Sequence, residues 1–347
     1  MDRAGASIRP CRSAPGHGGM MDSNGAQPTG IDRAEQPRKA GRSTCSQHQD
    51  TPVNDRLATG TPGVPHHSDL PLDHLLAVKA GRSISVCVPA RNEARTIGPI
   101  VSTISSQLAG PDGLVDEIVV VDDGSTDTTG AVAREAGARV VPVRDAPASG
   151  SPSGGAGKGA AMWTAVLESR GDIIVFCDAD IVNFDARFVT GLAGPLLVDD
   201  GIALVKGSYR RPIGDDPTGG GRVTELVARP LIRLFFPELA FVHQPLAGET
   251  AAVRHALEKV PFSPGYGVEI ALLIDVARRF GTASIAQVDL DVRAHRNRPL
   301  EELSPQAAEV MLAALSRCPL LESPIQEEQL PPLLDFYGSP GRQVTAR

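Results

Sequence analysis

Two aspartates, Asp178 and Asp180, stand two residues apart directly after the apolar run 173–177 (IIVFC). Carboxylates at that spacing on a strand end can both reach one hard divalent cation. Mg²⁺ in particular combines one or two carboxylates with phosphate oxygens. The same pair also reads as a plain polar turn with a helix-capping aspartate. A second acidic cluster, Asp122-Asp123-Gly124-Ser125-Thr126-Asp127, closes the run 117–121 (EIVVV). Asp123 can accept from a nucleotide's base or ribose, Gly124 permits a tight turn, and Ser125 or Thr126 can cap the next helix. Pro89-Ala90-Arg91-Asn92-Glu93 ends a third run, 83–89 (SISVCVP). Backbone groups and Glu93 there can read a nucleobase, and a solvated strand-to-helix loop is the plainer reading. Gly157-Lys158-Gly159 opens a helix, where N–H groups and a lysine suit a diphosphate. It is not a Walker A loop, because residue 152 is Pro and residue 159 is Gly, which argues against a P-loop ATPase.

The second half carries groups of another kind. Gly219-Gly220-Gly221-Arg222-Val223-Thr224-Glu225 lets backbone approach a ligand, and Arg222 adds a fork for phosphate or carboxylate. A hinge followed by a capped helix explains the same residues. Arg293, His295 and Asn297 share one face at strand spacing, and His295 is a candidate third metal ligand beside the two aspartates. His243 and His255 lack such company. The histidines at 17, 48, 66, 67 and 74 fall in a tail and are assigned no role. Cys87 and Cys177 read as small core residues, and Trp163 as packing.

The elements that must position these groups follow from the pattern. Apolar runs alternate with helical segments at 126–136, 158–169 and 185–197, and further strands are expected at 139–143 and 202–206. Such alternation predicts an α/β fold, a mostly parallel sheet sandwiched by helices. Ligands then sit beyond the carboxyl ends of the strands, where the three polar clusters lie. Beyond 207 the alternation stops, with helices expected at 222–235 and 267–280 and a strand at 284–292. The expected organisation is therefore a disordered tail at 1–78, a nucleotide-binding half at 79–206, a C-terminal half closing over the sheet at 207–320, and a flexible tail at 321–347.

Composition bounds the function. The chain has 347 residues, a formal charge of −7 and a pI near 5.6. An acidic balance argues against a general nucleic-acid binder. No apolar run approaches the ~20 residues of a membrane span, and the first residues lack the apolar stretch of a secretory signal. Five cysteines, far apart and without a CxxC pair, fit a reducing cytoplasm better than a disulfide framework.

In order, PARNEA, VVDDGSTD, GKG and DAD resemble nucleotide-sugar glycosyltransferases of the GT-A fold. VKGSYRRP, GGGRVTELVARPL, QPLAGE, FSPGYGVEIALLID and VRAHRNRPL resemble the glucosyl-3-phosphoglycerate synthases, glycosyltransferase family 81. The resemblance spans about 80–317. It implies a GT-A fold with a C-terminal acceptor-binding subdomain, and transfer of glucose from UDP-glucose to 3-phosphoglycerate with retention. It also implies a Mg²⁺ or Mn²⁺ cofactor, a homodimer, and a place in methylglucose lipopolysaccharide biosynthesis. Carried over residue by residue, Pro89, Ala90, Asn92 and Glu93 hold the uracil side. Asp123, Lys158, Asp178, Ala179 and Asp180 contact the rest of the donor, and Glu269 its sugar hydroxyls. Gly221, Arg222, Thr224 and Asn297 take the acceptor, with Tyr266 and Arg293 beside them. Asp180 and His295 take the metal, and Asp180, Glu269 and Lys158 form the catalytic group. The sequence departs from the family at Ala179, where Ser is usual, in the short segment 211–219, and in its long N-terminal tail. Rival readings keep the fold with another nucleotide sugar or a polyprenyl phosphate acceptor, or make the chain a non-catalytic sugar-nucleotide-binding regulator.

Overall fold

The computed structural model describes residues 63–144, 157–212, 220–294, 300–321, 327 and 329–337. The chain runs through α1 (Leu72–Val78), β1 (Ile84–Ala90), α2 (Ala94–Gln107), β2 (Glu117–Asp122), α3 (Thr129–Glu135) and β3 (Arg139–Pro142). It continues through α4 (Lys158–Glu168), β4 (Ile173–Phe176), α5 (Arg187–Val198) and β5 (Leu204–Arg210). A π-helical turn, Thr224–Ala228, leads into α6 (Arg229–Phe235). Then follow β6 (Thr250–Val253), α7 (Arg254–Leu257), α8 (Val268–Phe280), β7 (Ile285–Val292), α9 (Leu300–Leu315) and α10 (Leu333–Tyr337).

The strands form one seven-stranded sheet in the order β3-β2-β1-β4-β6-β5-β7. Only β6 is antiparallel to its neighbours. Both faces are covered, which is why the strands read as unbroken apolar runs. Val86, Val88, Val120 and Val175 face a core with α2 and α5. Cys87, Val119, Val121, Ile174 and Phe176 face the other, with α4 and α8. Each fully buried Val, Ile or Phe contributes roughly 1.5–3 kcal/mol. Among the described residues Cys87, Cys177 and Cys318 are buried free thiols, and burial pushes Cys87 up to about 12.

Register brings the polar clusters level. Ala90 pairs with Asp122, Cys87 pairs with Phe176, and the Cys177 N–H donates to the Cys87 carbonyl at 3.1 Å. The loops after β1, β2 and β4 therefore open on one edge of the sheet.

Three expected boundaries move. The tail expected at 1–78 is folded at its end: α1 buries Leu75 completely, and Leu70, Leu72 and Val78 pack on the same core. Seven helical residues are too few to show a period. The division at 206/207 cuts through β5, and β6 and β7 belong to the same sheet, so the sheet is not confined to the first half. Near the other end Leu330 and Leu333 are buried, and the Trp163 indole N–H donates to the Pro331 carbonyl at 3.1 Å. Among the described residues no helix is long and apolar enough to cross a membrane.

Candidate active site

The edge formed by β1, β2 and β4 carries a floor of paired charges. Lys158, the first residue of α4, places Nζ 2.6 Å from Asp178 Oδ1 and 2.5 Å from Glu269 Oε1. Glu269 lies in the first turn of α8, where the helix dipole favours an acid. Burial opposes the Lys158 charge, but the two carboxylates outweigh it and hold the ammonium well above the ordinary lysine value. Arg293, just past β7, donates through Nη2 to Asp178 Oδ2 and to Asp180 Oδ1, both at 2.7 Å. Its Nε donates to Glu249 Oε1 at 2.9 Å. Burial pushes the Asp178 carboxyl up, and Lys158 and Arg293 more than reverse that, holding it well below the usual carboxylate range. Glu249 is fully buried and also accepts from the Tyr209 hydroxyl. A β-bulge between Ser208 and Arg210 accompanies the inward turn of Tyr209. The Arg211 and Arg293 guanidiniums lie 4.9 Å and 5.7 Å from the Tyr209 ring centre.

The opposite wall is built differently. Gly221 adopts φ +76°, a left-handed conformation that suits glycine. The Gly220 N–H donates to the Arg211 carbonyl at 2.9 Å, and a Cβ on Gly220 would lie 2.4 Å from Arg211 Cβ. The expected α-helix over 222–235 contains a π-turn. Pro230 lacks the N–H of a regular ladder, and the Arg229 N–H reaches back to the Thr224 carbonyl. Arg211, Arg222, Thr224 and Tyr266 join Lys158 and Glu269 around one cleft of about 180 Å³. The Arg211 Nε is buried with no hydrogen-bond partner among the described residues. The Arg211 side chain lines the cleft, and a guanidinium there favours an anionic ligand.

Residues 85–248 match the family model described as glycosyl transferase family 2. A glucosyl-3-phosphoglycerate synthase of Mycolicibacterium paratuberculosis is 52% identical over 256 residues, spanning 72% of this chain and 76% of that protein. The Petrotoga mobilis protein of the same name is 47% identical over 259 residues, 73% of this chain and 79% of that one. This chain belongs to the glucosyl-3-phosphoglycerate synthase family. A solved Mycobacterium tuberculosis structure of that synthase, in complex with Mn²⁺, UDP-glucose and phosphoglyceric acid, aligns with TM-score 0.68 at 47% identity. The alignment covers 77% of this chain and 95% of the solved one.

The cleft of this synthase-family chain gathers Lys158, Asp178, Asp180, Gly221, Arg222, Thr224, Tyr266, Glu269 and Arg293 from the expected set. Pro89, Ala90, Asn92, Glu93, Asp123 and Ala179 form a neighbouring shelf outside its lining. Asn92 takes φ +56°, and its Oδ1 accepts from the Thr126 N–H at 2.8 Å. Thr96 Oγ1 donates to the Ala179 carbonyl at 2.6 Å, tying the shelf to the floor. Asp123 Oδ2 accepts from the Gly157 N–H at 3.2 Å. His295 and Asn297 lie outside the described residues.

One expectation is corrected. The α4 terminus does not offer its N–H groups at positions 159 and 160 to a diphosphate. Gly159 donates to the Gly265 carbonyl at 3.2 Å and Ala160 to the Pro264 carbonyl at 2.9 Å. The second glycine serves this contact, since a Cβ there would fall 1.7 Å from the Ser263 carbonyl oxygen. Only the lysine side chain faces the cleft. For a divalent cation, Asp180 offers a second carboxylate oxygen with no hydrogen bond among the described residues, a hard donor that fits Mg²⁺ or Mn²⁺. The reading from sequence passed over Tyr209, Arg211, Glu249 and Gln306. Arg211 had a signal in the basic pair of SYRRP, whereas Glu249 becomes visible only through its contact with Arg293.

Proposed function

We propose that this chain transfers glucose from UDP-glucose to the free hydroxyl of 3-phosphoglycerate with retention, giving glucosyl-3-phosphoglycerate. The observation that carries the reading is the cleft itself. It joins a carboxylate–lysine floor suited to a metal-bound diphosphate to an arginine wall suited to a small anion that carries phosphate and carboxylate, in a chain about half identical to named synthases.

Asp180, with His295, would hold the cation. When bound, the cation supplies charge neutralisation for the departing nucleoside diphosphate. An ammonium has three N–H donors, and Lys158 has two nearby carboxylate partners, which leaves one for the diphosphate. Pro89, Ala90, Asn92, Glu93 and Asp123 would hold the uridine, and Glu269 the sugar hydroxyls. Gly221, Arg222, Thr224 and Asn297 would take the acceptor, beside Tyr266 and Arg293.

The cleft carboxylates Asp178, Asp180 and Glu269 are each tied to Lys158 or Arg293. That pairing disfavours a covalent sugar intermediate and supports front-face attack. The bond from the anomeric carbon to phosphate oxygen breaks, the bond to the acceptor oxygen forms, and the acceptor proton passes to the departing phosphate oxygen. The reading extends to a homodimer, supported by exposed Leu226, Leu234 and Phe241, and to a cytoplasmic setting, supported by three buried free thiols.

The test is nucleotide release from UDP-glucose or GDP-glucose, with 3-phosphoglycerate or glycerate and Mg²⁺. Release requiring UDP-glucose and 3-phosphoglycerate together is expected. Release with another pair overturns the substrates, and binding without release favours a regulator. Product anomeric configuration, read by NMR, tests retention.

A further inference from the structure

We propose that His66, His67 and Asp291 form a second metal site, for a borderline cation such as Zn²⁺, separate from the oxygen-donor centre of the cleft. The three ligands come from two distant segments. Residues 65–69 lie along β7, with a parallel bridge between His66 and Asp289, and the Asp289 N–H donates to the Pro65 carbonyl at 2.8 Å. His66 Nε2 lies 3.1 Å from Asp291 Oδ1, and His67 Nε2 lies 2.8 Å from Asp291 Oδ2. One donor atom from each of the three residues falls within 4.8 Å of the other two. In a tetrahedral shell with bonds of about 2.0–2.1 Å, ligand atoms are about 3.3 Å apart. The present spacing therefore needs only small side-chain shifts to admit an ion.

Two features preset this geometry. Asp291 sits at φ +65°, in the left-handed region that Asp tolerates better than most residues. Its N–H donates to Asp289 Oδ1 at 2.8 Å, which holds the turn. His66 Nδ1 lies 2.8 Å from Ser68 Oγ, an outer contact of the kind that orients a ligating imidazole. The imidazoles are 4.2 Å apart between ring centres, tilted by 38°, so both can serve one ion.

Chemistry separates this site from the cleft. Two imidazoles and a carboxylate suit Zn²⁺, Co²⁺ or Ni²⁺, whereas oxygen donors with phosphate suit Mg²⁺ and Mn²⁺. His66, His67 and Asp291 all remain partly exposed, which leaves room for a water as fourth ligand. An ion there would fasten the 65–69 strap to β7, two residues before Arg293. The proposal rests on this geometry and not on the cleft's substrates.

The experiment uses the full chain, stripped with EDTA, dialysed, and supplied with excess Mg²⁺ and UDP to keep the cleft from competing. Co²⁺ is titrated by visible absorption, and Zn²⁺ by competition with a chelating dye and by melting temperature. The wild type is expected to hold one tight ion with a nitrogen–oxygen cobalt spectrum, and to melt higher as Zn²⁺ rises. The variants H66A, H67A and D291N are expected to lose affinity by at least on the order of 100-fold, the upper range for losing even an outer partner. Asn tolerates the same backbone conformation as Asp, and circular dichroism in EDTA checks that each variant folds. Equal binding by wild type and correctly folded variants overturns the proposal. So does a sulfur-to-cobalt charge-transfer band, which would put the ion on a cysteine, or no tight ion at all.

Discussion

The floor and the wall of the cleft treat charge in opposite ways. On the floor, Lys158 and Arg293 meet Asp178, Asp180, Glu249 and Glu269 at 2.5–2.9 Å, so every one of these charges has a partner. On the wall, Arg211 makes no ion pair among the described residues and keeps a buried Nε without a partner. Each floor carboxylate is pinned by a cation, which suits groups that must hold their positions while charge develops nearby, and four carboxylates against two cations leave a net negative balance. A cleft-lining arginine without an ion pair among the described residues is instead left to attract an anion. The buried floor pairs confer geometry more than stability, because desolvation offsets most of their attraction.

The comparison breaks most visibly at Arg293. Arg293→Met removes the cation shared by Asp178, Asp180 and Glu249, leaving Glu249 buried without a counter-charge. The expected destabilisation is about 3–5 kcal/mol by urea unfolding, with turnover down on the order of 10³-fold. Unchanged stability would show that the floor is not a coupled unit. Next comes Gly248→Ala. A Cβ there would lie 2.3 Å from Asp178 Oδ2, so Asp178 must move. A displacement of that size at a reacting centre lowers kcat by about 100-fold, and stopped assays at saturating substrates read it.

A change to the wall should act on binding alone. Arg211→Ala is expected to raise the acceptor KM about 10- to 100-fold while the donor KM moves less than about twofold. Equal rises in both would erase the distinction between wall and floor. The smallest effect tests the edge of the floor. Lys206 is buried, with Nζ donating to the Ala247 carbonyl at 2.6 Å and Thr250 Oγ1 at 2.9 Å. Burial lowers its pKa to about 8, against some help from Glu269. The unfolded chain therefore binds more protons above about pH 8, so this position gains stability as pH rises. Relative to Lys206→Met, the wild type should gain about 1 kcal/mol between pH 8 and pH 9. A pH-independent difference would mean that Lys206 stays fully charged in the folded state.

Much of this was legible in residue order. The strands at 84–90, 117–122 and 173–176 are short apolar runs ended by polar turn residues, and local chemistry suffices to find them. The shelf and the Asp178–Asp180 pair follow from where those runs stop. β6 was not legible, because Thr250–Val253 is four small or β-branched residues whose strand identity comes from pairing with β4 and β5. The helix at 158 was legible, but the use of its first N–H groups was not, since the carbonyls that take them belong to residues 264 and 265.

The sequence by itself determined the class of fold, the order of the polar clusters and the places of Asp178, Asp180 and Lys158, because these depend on period and turn chemistry within about ten residues. Tertiary structure decided which charges neutralise one another and which are left for a ligand. Arg293 reaches Asp178 across 115 residues of chain, and His66 reaches Asp291 across 225. Such contacts exist only after the sheet has closed, because the register of β5, β6 and β7 sets the distances and no local pattern encodes it.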